Sequence, residues 1–162
     1  MKKVNWKLIA ELIALVSIVG GLILVAWEIR QANNIARAEA VMSLTEQWNE
    51  FNISWFENPE VARLSQYVMA PDQHEISPVD HSRIKGMAWH FTNIFWSAHI
   101  AYENGLLSDE DIKNYQSDLL WMIEFMPGLN AEFAHIYETS PYMHGVFIFE
   151  PIEQLLKVKA SH

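Results

Sequence analysis

The 162 residues contain no cysteine. Disulfides, thiolate nucleophiles and cysteine-based zinc or iron–sulfur centres are thereby excluded, while the redox compartment stays open, since a cysteine-free chain suits either environment. Glycine and proline are sparse, six of each, and they form neither a phosphate-cradling loop nor a nucleophile elbow. No internal repeat and no low-complexity tract occurs. Basic residues are also few: eleven Lys and Arg stand against twenty Asp and Glu, a net charge of −9. The first 27 residues hold three Lys and one Glu, which leaves eight basic against nineteen acidic beyond them, or −11. A domain of that charge repels phosphate backbones, so no nucleic-acid partner is expected. Anionic lipid headgroups repel it as well.

What the chain does have is a long apolar run. Leu8 to Trp27 reads LIAELIALVSIVGGLILVAW, with Glu11 as its one charge. At about 1.5 Å of rise per residue, such a helix crosses the ~30 Å hydrocarbon core of a bilayer. Trp6 and Trp27 stand at its ends, where interfacial indoles are favoured. Lys2, Lys3 and Lys7 precede it, and Glu28 and Arg30 end it. Residues 1–27 are expected to be an N-terminal membrane anchor, with its span at about 8–27, and residues 28–162 an all-α domain. The bilayer is then the first partner, and the chain is a single-pass protein of the cell (inner) membrane. A signal peptide is the competing reading. Its apolar core is usually ~7–15 residues long and is followed closely by a small-x-small cleavage site. Here the run is longer, and Ala36-Arg37-Ala38 lies well past its end, which favours a retained anchor. Charge around the span sets Lys2, Lys3, Lys7 and the terminal amine against Arg30 and Arg37, which by a margin of about one residue favours a cytoplasmic N-terminus with the domain outside and leaves the side of the C-terminal domain open.

From Glu28 to Phe56 there is neither proline nor glycine. Ile29, Ala32, Ala36, Ala40, Leu44, Trp48, Phe51 and Trp55 recur at helical spacing, so one helix is expected to run from the anchor into the domain. Asn58-Pro59-Glu60 is a helix start of cap, proline and acid. The helix it opens, Glu60 to Met69, carries Val61, Leu64 and Val68 on one side. Ser77-Pro78 opens a helix to about Asn104, bulky on nearly every side and hence expected at the centre of the domain, with Gly105 as its stop. Ser108-Asp109-Glu110-Asp111 opens another, with Ile112, Tyr115, Leu119, Met122 and Met126 inward and Pro127-Gly128 as its break. A short helix at Asn130–Glu138 and a helical stretch from about Pro141 to Lys159 complete a compact domain of about five helices.

In this order the motifs resemble a family of small bacterial membrane-anchored helical proteins of unknown function. These share a span ending in a Q-I-R-Q-N-T-like phrase, here Glu28-Ile29-Arg30-Gln31-Ala32-Asn33. Then come N-P-E-x-A-R, here Asn58 to Arg63, G-L-L-x-x-E, here Gly105 to Glu110, and P-G, here Pro127-Gly128. The resemblance implies the anchor and the helical fold and supplies no activity. Many relatives carry their basic residues after the span, which implies a cytoplasmic domain, against the charge count here.

Candidate chemistry is sparse. A ferritin-like di-metal site needs two Glu-x-x-His pairs; the chain has Glu132-Phe133-Ala134-His135, which reads as a chance pairing on a solvated face. His99 and Glu103 are four apart and share a helix face. They are the candidate metal or acid–base couple, weighed against a buried histidine hydrogen-bonded to a carboxylate. His90 falls on a roughly opposite face of the same helix. Glu11 lies a turn from the interface beside Lys7, as a snorkelling surface pair. No cofactor is expected. The best-supported role is a non-enzymatic interaction or scaffold subunit; the alternative is a membrane-anchored sensor or enzyme holding a metal or small ligand between helices at His99 and Glu103.

Within the span, Ala10, Ala14, Ser17 and Gly21 line one face with small side chains, which lets a second helix approach closely. A protein partner or a second copy is the expected neighbour there. Replacing Gly21 with Leu is expected to weaken association of the full chain, read by crosslinking in a bilayer; undiminished crosslinking would remove this face from consideration.

Overall fold

The computed structural model describes residues 5–73 and 75–160, without the side chains of residues 55, 56, 73, 159 and 160. Lys2 and Lys3 lie outside the described residues, as does the side chain of Trp55. Six α-helices follow one another: α1 (Trp6–Glu57), α2 (Pro59–Met69), α3 (Pro78–Glu103), α4 (Asp109–Phe125), α5 (Asn130–Thr139) and α6 (Glu150–Ala160). Four single 3₁₀ turns join them, and among the described residues there is no strand. The chain divides into two units, Met1–Glu39 and Ala40–His162, with the division inside α1.

From Trp6 onward the first unit is helical, with no proline to break it. The apolar side chains of its span are exposed. Leu12, Leu15, Leu22 and Leu24 are all at least 60% exposed. The most apolar stretch reaches a mean hydropathy of 2.7 with none of it buried, so this helix is long and apolar enough to cross a membrane. Ser17 donates its hydroxyl to the Ile13 carbonyl at 2.8 Å, the usual way a hydroxyl is satisfied inside an apolar helix. Lys7 Nζ stands 4.0 Å from Glu11 Oε1.

The second unit begins with the last turns of α1. Leu44 is buried, and Trp48 and Phe51 are half-buried against the core. The core centres on α3, where Phe91, Ile94, Phe95 and Ala98 are at most 1% exposed. With Phe133 of α5 and Phe149 they make a core of large rings; full burial of one such ring contributes about 1.5–3 kcal/mol. α3 is not buried on every side, since Ile100 is exposed. α4 turns Ile112, Leu119 and Met122 inward, and α2 turns Leu64 and Val68 inward.

Helix ends follow the caps in the sequence. Asn58 Oδ1 accepts from the Glu60 amide at 3.0 Å, and Ser77 and Ser108 each form a reciprocal capping box, with Asp80 and Asp111. Gly105 adopts φ +69°, and the Leu106 amide donates back to Ala101 O at 2.8 Å, closing α3 as a left-handed glycine does. Gly128 acts differently. A Cβ there would lie 2.8 Å from Val68 Cα and 3.0 Å from Tyr67 O, so its lack of a side chain lets the turn after α4 seat on the backbone of α2.

The C-terminal stretch corrects the sequence reading. It is not one helix from Pro141: turns at Pro141–Met143 and Phe147–Phe149 precede α6, which starts at Glu150. Gly145 between them takes φ +74°, a conformation that ends a helix, and Pro151 then restarts one in its first turn.

A four-charge cluster joins the first turns of α2 and α3. Arg63 donates to Asp80 Oδ1 at 2.6 Å and to Glu60 Oε2 at 3.2 Å. Arg83 donates to the same two carboxylates at 3.4 and 3.0 Å. Arg63, then the Ser77 hydroxyl, hold the Asp80 carboxyl below the ordinary carboxylate range. A depressed acid contributes stability above its unfolded value, about 3.9, and loses it as the pH falls through the folded one. Arg63→Ala is therefore expected to melt below the parent at pH 7 in mild detergent, with the two melting curves converging below about pH 4. Parallel curves down to pH 2 would count against the cluster.

Candidate functional site

The packing of α1 onto α3 is aromatic. Trp48 meets Phe91 at 5.6 Å between ring centroids and Phe95 at 5.9 Å, the second edge-on at 74°. Phe51 meets Phe91 edge-on at 4.3 Å. Two of the three contacts place ring edges against ring faces, as the aromatic quadrupole prefers, and Trp48 is tilted at 41° to Phe91. They also leave a groove between the end of α1 and α4. One cavity in it, about 400 Å³, has Trp48, Phe51 and Asn52 on one wall and Phe91 contributed by α3. α4 and its cap supply Asp118, Trp121, Met122 and Met126, and Met69 comes from the end of α2. A second cavity of about 230 Å³ lies along the same two helices and shares Trp48 and Asp118 with the first. Val41, Leu107, Asp111, Asn114 and Tyr115 complete it.

The rim of the groove is apolar and open. Trp121 and Phe125, one turn apart, stack at 5.3 Å and 25° yet remain 48% and 55% exposed. Met69 is 50% exposed. No Lys or Arg lines either cavity. Desolvation pushes the Asp118 carboxyl above its ordinary value. Tyr115, between the two acids on α4, is raised as well, by burial first and then by the charges of Asp118 and Asp111. Asp111 is lowered instead, because the Ser108 hydroxyl and amide both donate to it.

The residues singled out from the sequence lie elsewhere. His99 and Glu103 do line one space, a polar groove of about 560 Å³ on the far end of α3, with Tyr102, Asp109, Lys113 and the turn at Gly145, Val146 and Phe147. His99 is half-buried and Glu103 exposed. The imidazole of His99 lies 5.2 Å from the Trp96 ring, centroid to centroid, and no hydrogen bond joins His99 to Glu103. Tyr102 donates its hydroxyl to Asp109 at 2.9 Å, and that carboxylate raises the phenol. Among the described residues, no three His, Cys, Asp or Glu are grouped so as to hold a metal. His90 stacks on Phe51 at 5.8 Å, its Nε2 buried and without a hydrogen-bond partner.

Glu132 and His135 correct the solvated-face reading. Glu132 is buried, 8% exposed, and its Oε1 stands 3.3 Å from His81 Nε2 of α3, whereas His135 is exposed. Three residues of spacing separate the faces enough to put one in the core and one in water. Ala10, Ala14, Ser17 and Gly21 are exposed on α1, and a Cβ on Gly21 would meet nothing within 4 Å.

The groove residues Asp118, Trp121 and Met69 were not singled out by the sequence reading. One signal was present: Trp121 and Phe125 are large rings four apart that fall off the inward stripe of α4, where an amphipathic helix carries polar residues. The chain was compared with family models, with curated proteins and with solved structures, and it matches none of them.

Asp118 makes no ion pair or hydrogen bond among the described residues. An acid whose folded value is raised is disfavoured when charged, so the fold gains stability as the pH falls toward that value and loses it as the pH rises through it. Asp118→Asn is therefore expected to leave stability at pH 7 unchanged or raised by up to about 0.5 kcal/mol, read by denaturant unfolding in mild detergent. A clear loss would mean that the carboxylate holds a structural contact.

Proposed function

We propose that the chain is a membrane-anchored docking subunit. In this reading the apolar helix of α1 is a single span in the cell (inner) membrane, as in the bacterial family the sequence resembles. The helical domain takes a protein partner, not a substrate. The observation that carries the reading is the open groove between α1 and α4. Trp121, Phe125 and Met69 stay about half exposed beside a 400 Å³ cavity with aromatic and methionine walls. A folded domain that could bury these groups and leaves them at a concave surface presents the usual anatomy of a docking site. Methionine suits such walls, being unbranched and polarizable enough to refit different partners. The small-residue face of the span offers a second place of association, with a partner's helix or another copy of this chain.

One observation favours a second reading, a small ligand bound between helices. His99 and Glu103 share their groove with Tyr102, Asp109 and Lys113, a mixture of charges able to hold a polar molecule.

A photo-crosslinking amino acid placed at Trp121, in the full chain in its native membrane, is expected to give one discrete adduct. The same group at Thr139, exposed on α5, should give none. Equal labelling from both positions, or none from Trp121, would reject the groove as a docking site.

A further inference from the structure

We propose that the groove between α1 and α4 receives a cationic amphipathic helix of a partner protein, with its apolar face on Trp48, Trp121, Met122 and Met126 and a Lys or Arg against Asp118. The inference rests on the docking reading and adds the chemistry of the occupant.

Charge complementarity carries it. Asp118 is the hinge of the groove, lining both cavities, and Asp111 lines the second. The two acids are seven residues apart on α4. Seven residues are close to two full helical turns, about 10 Å along the axis, so both carboxylates fall on nearly one face. No basic side chain lines the groove; Ser108 satisfies Asp111 in its capping box, and Asp118 is the acid with no partner among the described residues. The Asp118 side chain is exposed on the wall of the groove, so its carboxylate is free to take a docked ammonium or guanidinium in a charge-assisted hydrogen bond. Desolvation of Asp118 fits the same picture. Trp48 and Trp121 add ring surface on which a cation is favoured.

Shape argues for a helix. The cavities follow α4 from Asp111 to Met126, about 22 Å at helical rise, and their two long walls are themselves helices. A third helix of about four turns fills such a trough with apolar residues at three- and four-residue spacing. A second copy of this domain is a poor occupant, because it carries eight basic residues against nineteen acidic ones and the two copies repel. Anionic lipid headgroups are repelled for the same reason.

The test uses the full chain in phosphatidylcholine nanodiscs and three fluorescein-labelled 18-residue peptides, read by anisotropy with empty discs subtracted. One peptide is a Leu/Lys amphipathic helix. A second keeps the same apolar face with Glu in place of Lys. A third has the Leu/Lys composition scrambled so that no apolar face forms. The Leu/Lys helix is expected to bind at least ten-fold tighter than either control. Asp118→Asn should weaken it several-fold and flatten its salt dependence, and Trp121→Ala should weaken it about ten-fold. Equal or tighter binding of the Glu peptide, lost on Trp121→Ala, would overturn the cationic partner while leaving the docking groove in place. Equal binding of the scrambled peptide, binding indifferent to both substitutions, or no binding at all would overturn the inference. In that last case the crosslinking from position 121 decides separately whether the groove docks anything.

Discussion

Phe91 and Phe95 of α3 organise the helical domain. Each is at most 1% exposed, and the rings of Trp48 and Phe51 reach them from the end of α1. Edge-to-face contacts of this kind add about 0.5–1.5 kcal/mol each to the burial of apolar area, and they are directional. They therefore decide at what distance and rotation the last turns of α1 lie beside α3. The groove is a consequence. Once Trp48 and Phe51 are turned toward α3, the space between α1 and α4 is left walled by Met122, Met126 and Trp121 and floored by Phe91.

A second constraint ties the start of α2 to the start of α3. The first turns of α2 and α3 each place one acid, Glu60 and Asp80, and each helix supplies one arginine, Arg63 and Arg83, to bridge both. Asp80 is the buried member and also completes the Ser77 capping box. One carboxylate thus stops a helix end and ties two helices together. The N-P-E-x-A-R phrase acquires a physical meaning here. Asn58 and Pro59 start α2, Glu60 and Arg63 enter the cluster, and Pro-Gly further on lets the turn after α4 close over α2 at Val68.

Charge is distributed to opposite effect in the two places. Around Asp80 the acids are paired, and the carboxyl is held low. In the groove no cation lines the cavities; Asp111 is held low by Ser108, and Asp118 alone is held high. The first arrangement stabilises the fold by itself. The second leaves a favourable interaction unmade, at a surface where rings and methionines are also left open.

The helices themselves were legible in the sequence because their causes are local. Hydropathy over twenty residues marks the span, and Asn58, Ser77 and Ser108 act on amides two or three residues away. Gly105 ends α3 through its own φ. All of these depend on residues within a turn or two of one another. His99 and Glu103 could be placed on one face by the same spacing rule, and they do line one groove. Spacing could not show that Glu132 turns inward to His81, nor that Phe147 to Phe149 form a separate turn after a left-handed Gly145. The pairings that matter for the candidate site are of the non-local kind. Arg63 meets Asp80 across seventeen positions, Gly128 meets Val68 across sixty, and Trp48 shares its cavities with Asp118 across seventy. The sequence alone determined where helices begin, end and turn apolar, because backbone hydrogen bonds and caps are short-range. Only the tertiary structure decided which faces meet and which groove stays open, because helix crossing is set by the fit of side chains brought from distant parts of the chain.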